Sequence, residues 1–275
     1  MLSLLLLSLA DSAASRLSGQ SVLVTGGGRG IGRAIALFCA EEGARVAILA
    51  RTLPELQAVA EEAKQQHGAE VYTITADVTA EHEVEAAVAA VAAELGGVDI
   101  LVNNAGGAST KAPLHEQSSA DVRALLELNV VGVHAVSSAV LRHSMLPAKR
   151  GRIINISSRA GKVGLPNMGP YVASKFAVEG LTASMAAELR EAGVTVNSIS
   201  PGMVDTRSFP KAPGRPGVRS AESVKDGFFA LLESGRSGVY LHVDELDEAA
   251  AAGQPDAALK PIDEPTFGVE QACEA

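Results

Sequence analysis

From Ser21 onward, short apolar runs rich in β-branched residues alternate with longer segments whose apolar positions recur at helical spacing. SVLVT (21–25) reads as a buried parallel strand ending at glycines, and 30–42 as a helix closed by Gly43. RVAILA (45–50) follows as a strand. Thr52 and Glu55 form a T-x-x-E capping box that predicts a helix running to about Gln66. Strands are predicted at 71–75, 99–104, 152–157, 194–200 and 238–243. Helices are predicted at 80–95, at 119–145 with a stop at Pro147, at 171–191 and at 221–233. Such alternation implies right-handed crossovers and a parallel sheet covered on both faces: a single α/β domain with a doubly wound sheet. Ligands bind such sheets outside the carboxyl ends of the strands, so the informative loops are those that follow strands.

The chain divides into an arm or targeting segment (1–17), one catalytic-sized domain (18–246) and a tail from Asp247 to the end. The tail is rich in Ala, Asp, Glu and Pro and is expected to be poorly ordered. MLSLLLLSLA at the start is too short to span a bilayer, and its first basic residue, Arg16, follows the apolar run. A processed targeting segment and a plain N-terminal arm are both open there. The composition is 47% apolar, as expected of a globular chain. Aromatics at 3%, no Trp and a net charge of −9 argue against nucleic acid, which needs stacking surfaces and a basic face. Cys39 falls in an apolar helical stretch and reads as core, Cys273 sits in the tail, and no disulfide or zinc spacing links them. Cysteine usage of this kind agrees with a cytoplasmic location. His115, His134, His143 and His242 have no metal-ligand grouping, and Asp244 with Glu245 reads as a solvated face.

The first strand runs into Thr25-Gly26-Gly27-Gly28-Arg29-Gly30-Ile31-Gly32 and then a helix. Glycines let backbone approach a pyrophosphate, and the helix start offers unpaired N–H groups. In this strand-to-helix setting the G-x-x-x-G-x-G spacing favours dinucleotide binding over an ordinary turn. The second strand ends in Ala50-Arg51 rather than in the carboxylate that accepts from an NAD ribose; Arg51, and Arg29 in the glycine loop, suit a 2′-phosphate, with two solvated arginines as the alternative. Asn103-Asn104-Ala105-Gly106 follows the fourth strand and would let backbone lie against a flat cofactor. In Tyr171-Val172-Ala173-Ser174-Lys175, Tyr171 and Lys175 share one helix face a turn apart. An ammonium there is expected to draw the phenol below its usual pKa, into an acid/base range. Ser157-Ser158 ends the preceding strand at the ligand edge, where a hydroxyl can donate to a carbonyl oxygen. Residues 207–219 form a loop bearing Arg207, Lys211, Arg215 and Arg219; attraction of an acidic substrate and a solvated mobile loop are both open.

Over residues 18–206 the chain resembles a short-chain dehydrogenase/reductase of the NADPH-dependent carbonyl or 3-oxoacyl reductase type. The resemblance rests on TGGGRGIG (25–32), Asp77-Val78, NNAG (103–106), Asn129, Ser158, YVASK (171–175) and Pro201-Gly202 with Thr206. It implies a Rossmann-like fold, with Tyr171 as proton donor, Ser158 as its orienter, Lys175 gripping the nicotinamide ribose and Asn129 supporting a relay water. It also implies that Asp77 and Val78 contact adenine and that Pro201, Gly202 and Thr206 flank the nicotinamide. A homodimer or homotetramer pairing the helices at 119–145 and 171–191 is implied as well. There are departures: Gly28 replaces a serine, HVDE (242–245) replaces an Asp-Gly-Gly ending, and the segment between Pro201 and the 221–233 helix is short.

The expectation is an NADP(H)-dependent oxidoreductase that reduces a small-molecule ketone or aldehyde, without a metal, a nucleic-acid partner or a stable membrane span. The alternatives are an NAD(H)-dependent alcohol dehydrogenase of the same family and a non-catalytic dinucleotide sensor.

Overall fold

A run of five or six apolar residues survives as a strand only if both of its faces are covered, and that is how β1 (Ser21–Thr25) and β2 (Arg45–Ala50) sit. In the computed structural model the described residues are 15–207, 209–211 and 215–262, with a short strand at 268–269. The chain continues through α1 (Gly30–Glu41), α2 (Leu53–His67), β3 (Val71–Thr75), α3 (Glu81–Leu95) and β4 (Ile100–Asn103). Next come α4 (Ser119–Ala148), β5 (Gly151–Ile156), β6 (Val163–Gly164), α5 (Gly169–Glu188) and β7 (Val194–Ser200). The last elements are α6 (Lys225–Glu233), β8 (Val239–His242), α7 (Val243–Ala251), β9 (Lys260–Pro261) and β10 (Gly268–Val269).

The main sheet has the order β3-β2-β1-β4-β5-β7-β8-β9, parallel throughout except for β9. β10 pairs with β6 in a separate two-stranded ribbon. Strand order reverses between β1 and β4, so a crevice opens past their carboxyl ends. On one face α1, α2 and α6 bury Ile35, Phe38, Leu56, Phe228 and Phe229 against the sheet. On the other, α3, α4 and α5 bury Val84, Val88, Val136, Val140 and Ala186. α4 is long and apolar enough to cross a membrane, but its apolar side packs into this second core.

Five expectations change. Residues 247–262 are not a loose tail. α7 runs on to Ala251, and β9 adds an antiparallel edge strand at Val239↔Pro261 and Tyr240↔Lys260. The polar composition hides sparse anchors, for Leu246, Leu259 and Ile262 are all buried. His242 Nδ1 accepts from Asp244 N to cap α7, and Glu245 pairs with Lys260, so the acids of HVDE serve structure. α4 does not stop at Pro147. π-helical turns at 127–131 and 141–145 change its hydrogen-bond register, and it ends at Lys149 with φ 50°. The capping box does not form: Thr52 makes no side-chain cap on α2, and the Glu55 carboxylate is drawn to the Arg29 and Arg207 guanidiniums. At the start, Leu17 is buried and the Arg16 guanidinium lies 3.7 Å from the Phe229 ring centre, so these residues belong to the domain. Residues 1–14 and Cys273 lie outside the described residues.

Candidate active site

The loop leaving β1 turns by left-handed backbone at Gly26 (φ 64°) and Gly30 (φ 54°), which favours residues without a side chain. A Cβ on Gly26 would lie 2.9 Å from Asn104 Nδ2. Asn104 is there because its amide donates to Thr25 O at 2.9 Å and Gly26 O at 3.2 Å. Thr25 Oγ1 accepts from Asn104 N and Ala105 N, each at 3.0 Å. These bonds lock the glycine loop to the turn that follows β4. Ile31 rests on the first core, and Gly32 abuts Asn104. Arg29 opens α1 without a side-chain cap, and no acid occupies the first turn. The resulting glycine turn, set at the positive end of the α1 dipole, fits a pyrophosphate.

The two arginines expected to meet a 2′-phosphate face carboxylates. Arg51 Nη1 lies 3.5 Å from Asp77 Oδ2, and Arg29 Nη1 lies 3.6 Å from Glu55 Oε1. Asp77 also accepts from the Thr79 backbone and hydroxyl. Burial would raise the Asp77 pKa, but these bonds and Arg51 outweigh it and hold it below the usual range. Val78 is buried against Gly132 of α4.

Past the glycine loop, β5 delivers Ser158 in extended backbone (φ −165°, ψ 159°), its Oγ accepting from Ala160 N at 3.1 Å. Tyr171 lies in the first turn of α5, buried, with its phenol facing Ser158. One turn on, Lys175 Nζ donates to Ile156 O at 2.8 Å and lies 5.9 Å from the Tyr171 ring centre. Asn129 sits in the first π turn of α4, buried, exchanging bonds with Gly107 N (2.8 Å) and Gly107 O (3.0 Å). It also donates to Ser174 Oγ at 3.0 Å, and Ser174 donates to Tyr171 O at 2.7 Å. A Cβ on Gly106 would lie 3.2 Å from Asn129 Oδ1. Pro201 and Gly202 leave β7, and Thr206 reaches back to touch Gly30, bringing the two halves of the crevice together.

The electrostatics differ from expectation. Burial pushes the Tyr171 phenol up, and only Ser158 opposes it; Lys175 does not draw it down. The reason is geometric: the ammonium is turned to Ile156 O, while the phenol is enclosed with Met168 and Phe209. Burial in turn pulls Lys175 down to about 8. The loop arginines are also largely paired, Arg207 to Glu55 at 2.8 Å and Arg219 to Asp244 at 2.7 Å and Asp247 at 2.6 Å. Among the described residues no group of His, Cys, Asp and Glu is placed to hold a metal. His143 pairs with Glu85 at 2.6 Å, and Cys39 is buried with its thiol pushed up.

Several residues escaped the sequence reading. Thr25, Ser174 and Glu55 stood only as members of TGGGRGIG, YVASK and the capping box, without these bonding roles, and Phe209 carries no motif signal. A ladder from Ser137 through Asn103 and Asn155 to Thr182, with each link at 2.8–2.9 Å, holds the middle of the sheet, a role the sequence pattern does not show.

The sequence model of the short chain dehydrogenase family matches residues 20–214. A 3-oxoacyl-acyl-carrier-protein reductase of Staphylococcus aureus is 42% identical over 189 residues, covering 67% of this chain and 74% of that protein. An NAD+-bound xylitol dehydrogenase superposes with TM-score 0.76 at 32% identity, over 82% of this chain and 98% of that one. A metagenomic short-chain oxidoreductase in complex with NADP does so with TM-score 0.69 at 36% identity, over 78% and 90%. Fold, crevice and sequence agree: the chain belongs to the short-chain dehydrogenase family, as an NAD(P)-binding oxidoreductase that works between a carbonyl and an alcohol.

Proposed function

We propose that this protein reduces a small-molecule ketone or aldehyde with NADPH, with Tyr171 as the proton donor. The observation that carries the reading is the Tyr171 phenol, buried, facing Ser158 and one helical turn from Lys175. A bound nicotinamide supplies hydride to the carbonyl carbon. Ser158 donates to the carbonyl oxygen and orients it. Tyr171 protonates that oxygen as it becomes an alkoxide; a phenol held neutral by burial is suited to that direction. Lys175 holds the cofactor ribose and Asn129 keeps a relay water beside Ser174. Gly26, Arg29, Gly30, Ile31 and Gly32 cradle the pyrophosphate, and Asn104, Ala105 and Gly106 line the crevice. Asp77 and Val78 border the adenine pocket, and Pro201, Gly202 and Thr206 flank the nicotinamide.

NADPH is favoured because β2 ends without a carboxylate, leaving Arg51 and Arg29 to meet a 2′-phosphate. One charge-assisted bond is worth roughly 1.5–3 kcal/mol, enough for about a tenfold preference. The NADH reading draws on the carboxylates of Asp77 and Glu55 that face those arginines.

The test follows cofactor consumption against a panel of carbonyls with each cofactor. NADPH should be used at least about tenfold more efficiently. Ala50→Asp with Arg51→Ala should move the preference toward NADH. Tyr171→Phe should lose about 10²–10⁴-fold in turnover while still binding cofactor. Near-normal turnover in Tyr171→Phe overturns the mechanism, and equal use of both cofactors overturns the NADPH assignment.

A further inference from the structure

Behind the Tyr171–Lys175 face of α5 lies a carboxylate that the mechanism above does not use. Glu179 is one turn beyond Lys175 and only 6% exposed, a rare place for an acid unless it balances charge. Its Oε2 accepts from Ser198 Oγ of β7 at 3.0 Å and lies 3.6 Å from Lys162 Nζ. Lys162 is itself nearly enclosed. Its ammonium donates to Ile262 O at 2.8 Å, just past β9, and stands 4.8 Å from the centre of the Tyr240 ring. The groups facing Glu179 are thus Lys175 on its own helix, Lys162 from the turn before β6, Ser157 at the end of β5, Ser198 on β7 and Tyr240 on β8. Glu245 and Arg159 act on Tyr240 from beyond.

We propose that Glu179 is a positioning residue for the reaction: its buried carboxylate, one helical turn beyond Lys175 and 3.6 Å from the Lys162 ammonium, keeps Lys175 cationic for the cofactor ribose, and the C-terminal segment completes the device by accepting Lys162. The inference rests on the role proposed for Lys175.

Two ammonium groups and one carboxylate lie in a region largely closed to water. Two buried ammonium groups without the carboxylate would repel each other in a medium that screens poorly, and one would lose its proton. Burial already draws Lys175 down to about 8, and Glu179 is the partner that opposes it. Burial raises the Glu179 carboxyl too, against the pull of Ser157, Lys162, Ser198 and Lys175. The arrangement makes a prediction that mere packing does not. Removing the negative charge and removing the outer positive charge should move Lys175 in opposite directions.

The experiment uses the full chain and needs no substrate. Lysine 15Nζ shifts are followed against pH in the cofactor-free protein, with Lys175 assigned by Lys175→Arg, and NADPH binding is measured across the same pH range by fluorescence. Glu179→Gln should lower the Lys175 ionisation by about one pH unit or more and weaken NADPH binding about tenfold near pH 8. Glu179→Asp, which keeps the charge, should recover most of both. Lys162→Gln should raise the Lys175 ionisation. Should Glu179→Gln not fold, Lys162→Gln decides alone: an upward shift supports the proposal, and no shift or a downward one overturns it. Unmoved ionisation in every variant, with only a lower melting temperature, also overturns it and leaves Glu179 as a structural acid. If the wild type reduces no carbonyl in the panel, the proposed function fails while these shifts remain readable.

Discussion

The Phe209 ring lies 5.5 Å from the Tyr171 ring, centre to centre and tilted by 56°, so the loop after β7 shields the very phenol proposed as proton donor. Phe209 is held there by reciprocal backbone bonds with Thr206, which touches the glycine loop. Shielding by this ring is part of the burial that raises the Tyr171 pKa. Phe209→Ala should admit water and bring the phenol back toward its ordinary range. The chain has three tyrosines and no tryptophan, so tyrosinate absorbance against pH can be read directly, with Tyr171→Phe as the blank. Alcohol oxidation, which needs the phenolate, should rise in the variant at a fixed alkaline pH. An unmoved titration would show that Phe209 does not control the site.

The alkaline limit of reduction should belong to Lys175 rather than to Tyr171. The Tyr171 phenol is raised, so it keeps its proton well into alkaline solution. Lys175 is lowered to about 8, so its charge disappears as pH rises through that value, and with it the grip on the ribose. The efficiency kcat/KM for NADPH, which reports groups of the free enzyme, should therefore fall above about pH 8. A profile flat to pH 10 would contradict this.

Glu55 should restrain cofactor binding. Its carboxylate faces both Arg29 and Arg207 at the adenosine end, where a 2′-phosphate would compete for the same cations. It gives α2 no cap in return. Glu55→Gln should tighten NADPH about two- to fivefold, the range expected of exposed ion pairs, and leave NADH nearly unchanged. Equal effects on both cofactors, measured by fluorescence titration, would remove the 2′-phosphate from the explanation.

Ending the chain before Pro255 should cost stability. Leu259 and Ile262 are buried, each worth about 1.5–3 kcal/mol, and β9 and the Lys162 acceptor leave with them. A loss of about 3 kcal/mol or more corresponds to a melting temperature lower by roughly 6–12 °C in a domain of this size. Calorimetry showing no change would mean that the segment merely rests on the sheet.

Most strands of the sheet were legible because buried parallel strands need continuous β-branched runs, and SVLVT, RVAILA and VTVNSIS supply them. Ser158, Tyr171 and Lys175 were legible because their spacing is itself the geometry. What lay hidden depends on long-range partners. The T-x-x-E box is local, yet Arg207, 152 residues away, takes its glutamate. The lowering of Tyr171 followed from Lys175 alone, whereas enclosure by Phe209 and Met168 decides the sign. Leu259 and Ile262 are two apolar residues in a polar stretch, too few to establish a period, and their burial becomes visible only when they fold back on β8.

That fold-back changes how the molecule can meet a second copy of itself. On this side the sheet ends in a two-residue strand made of Lys260 and Pro261. Proline offers no N–H for a further ladder, and a lysine at the rim discourages an approaching strand. The row of backbone groups on β8, otherwise a template for continuous growth across two molecules, is occupied from within its own chain. Among the described residues, self-association by strand addition at Val239 and Tyr240 would first have to strip β9 away.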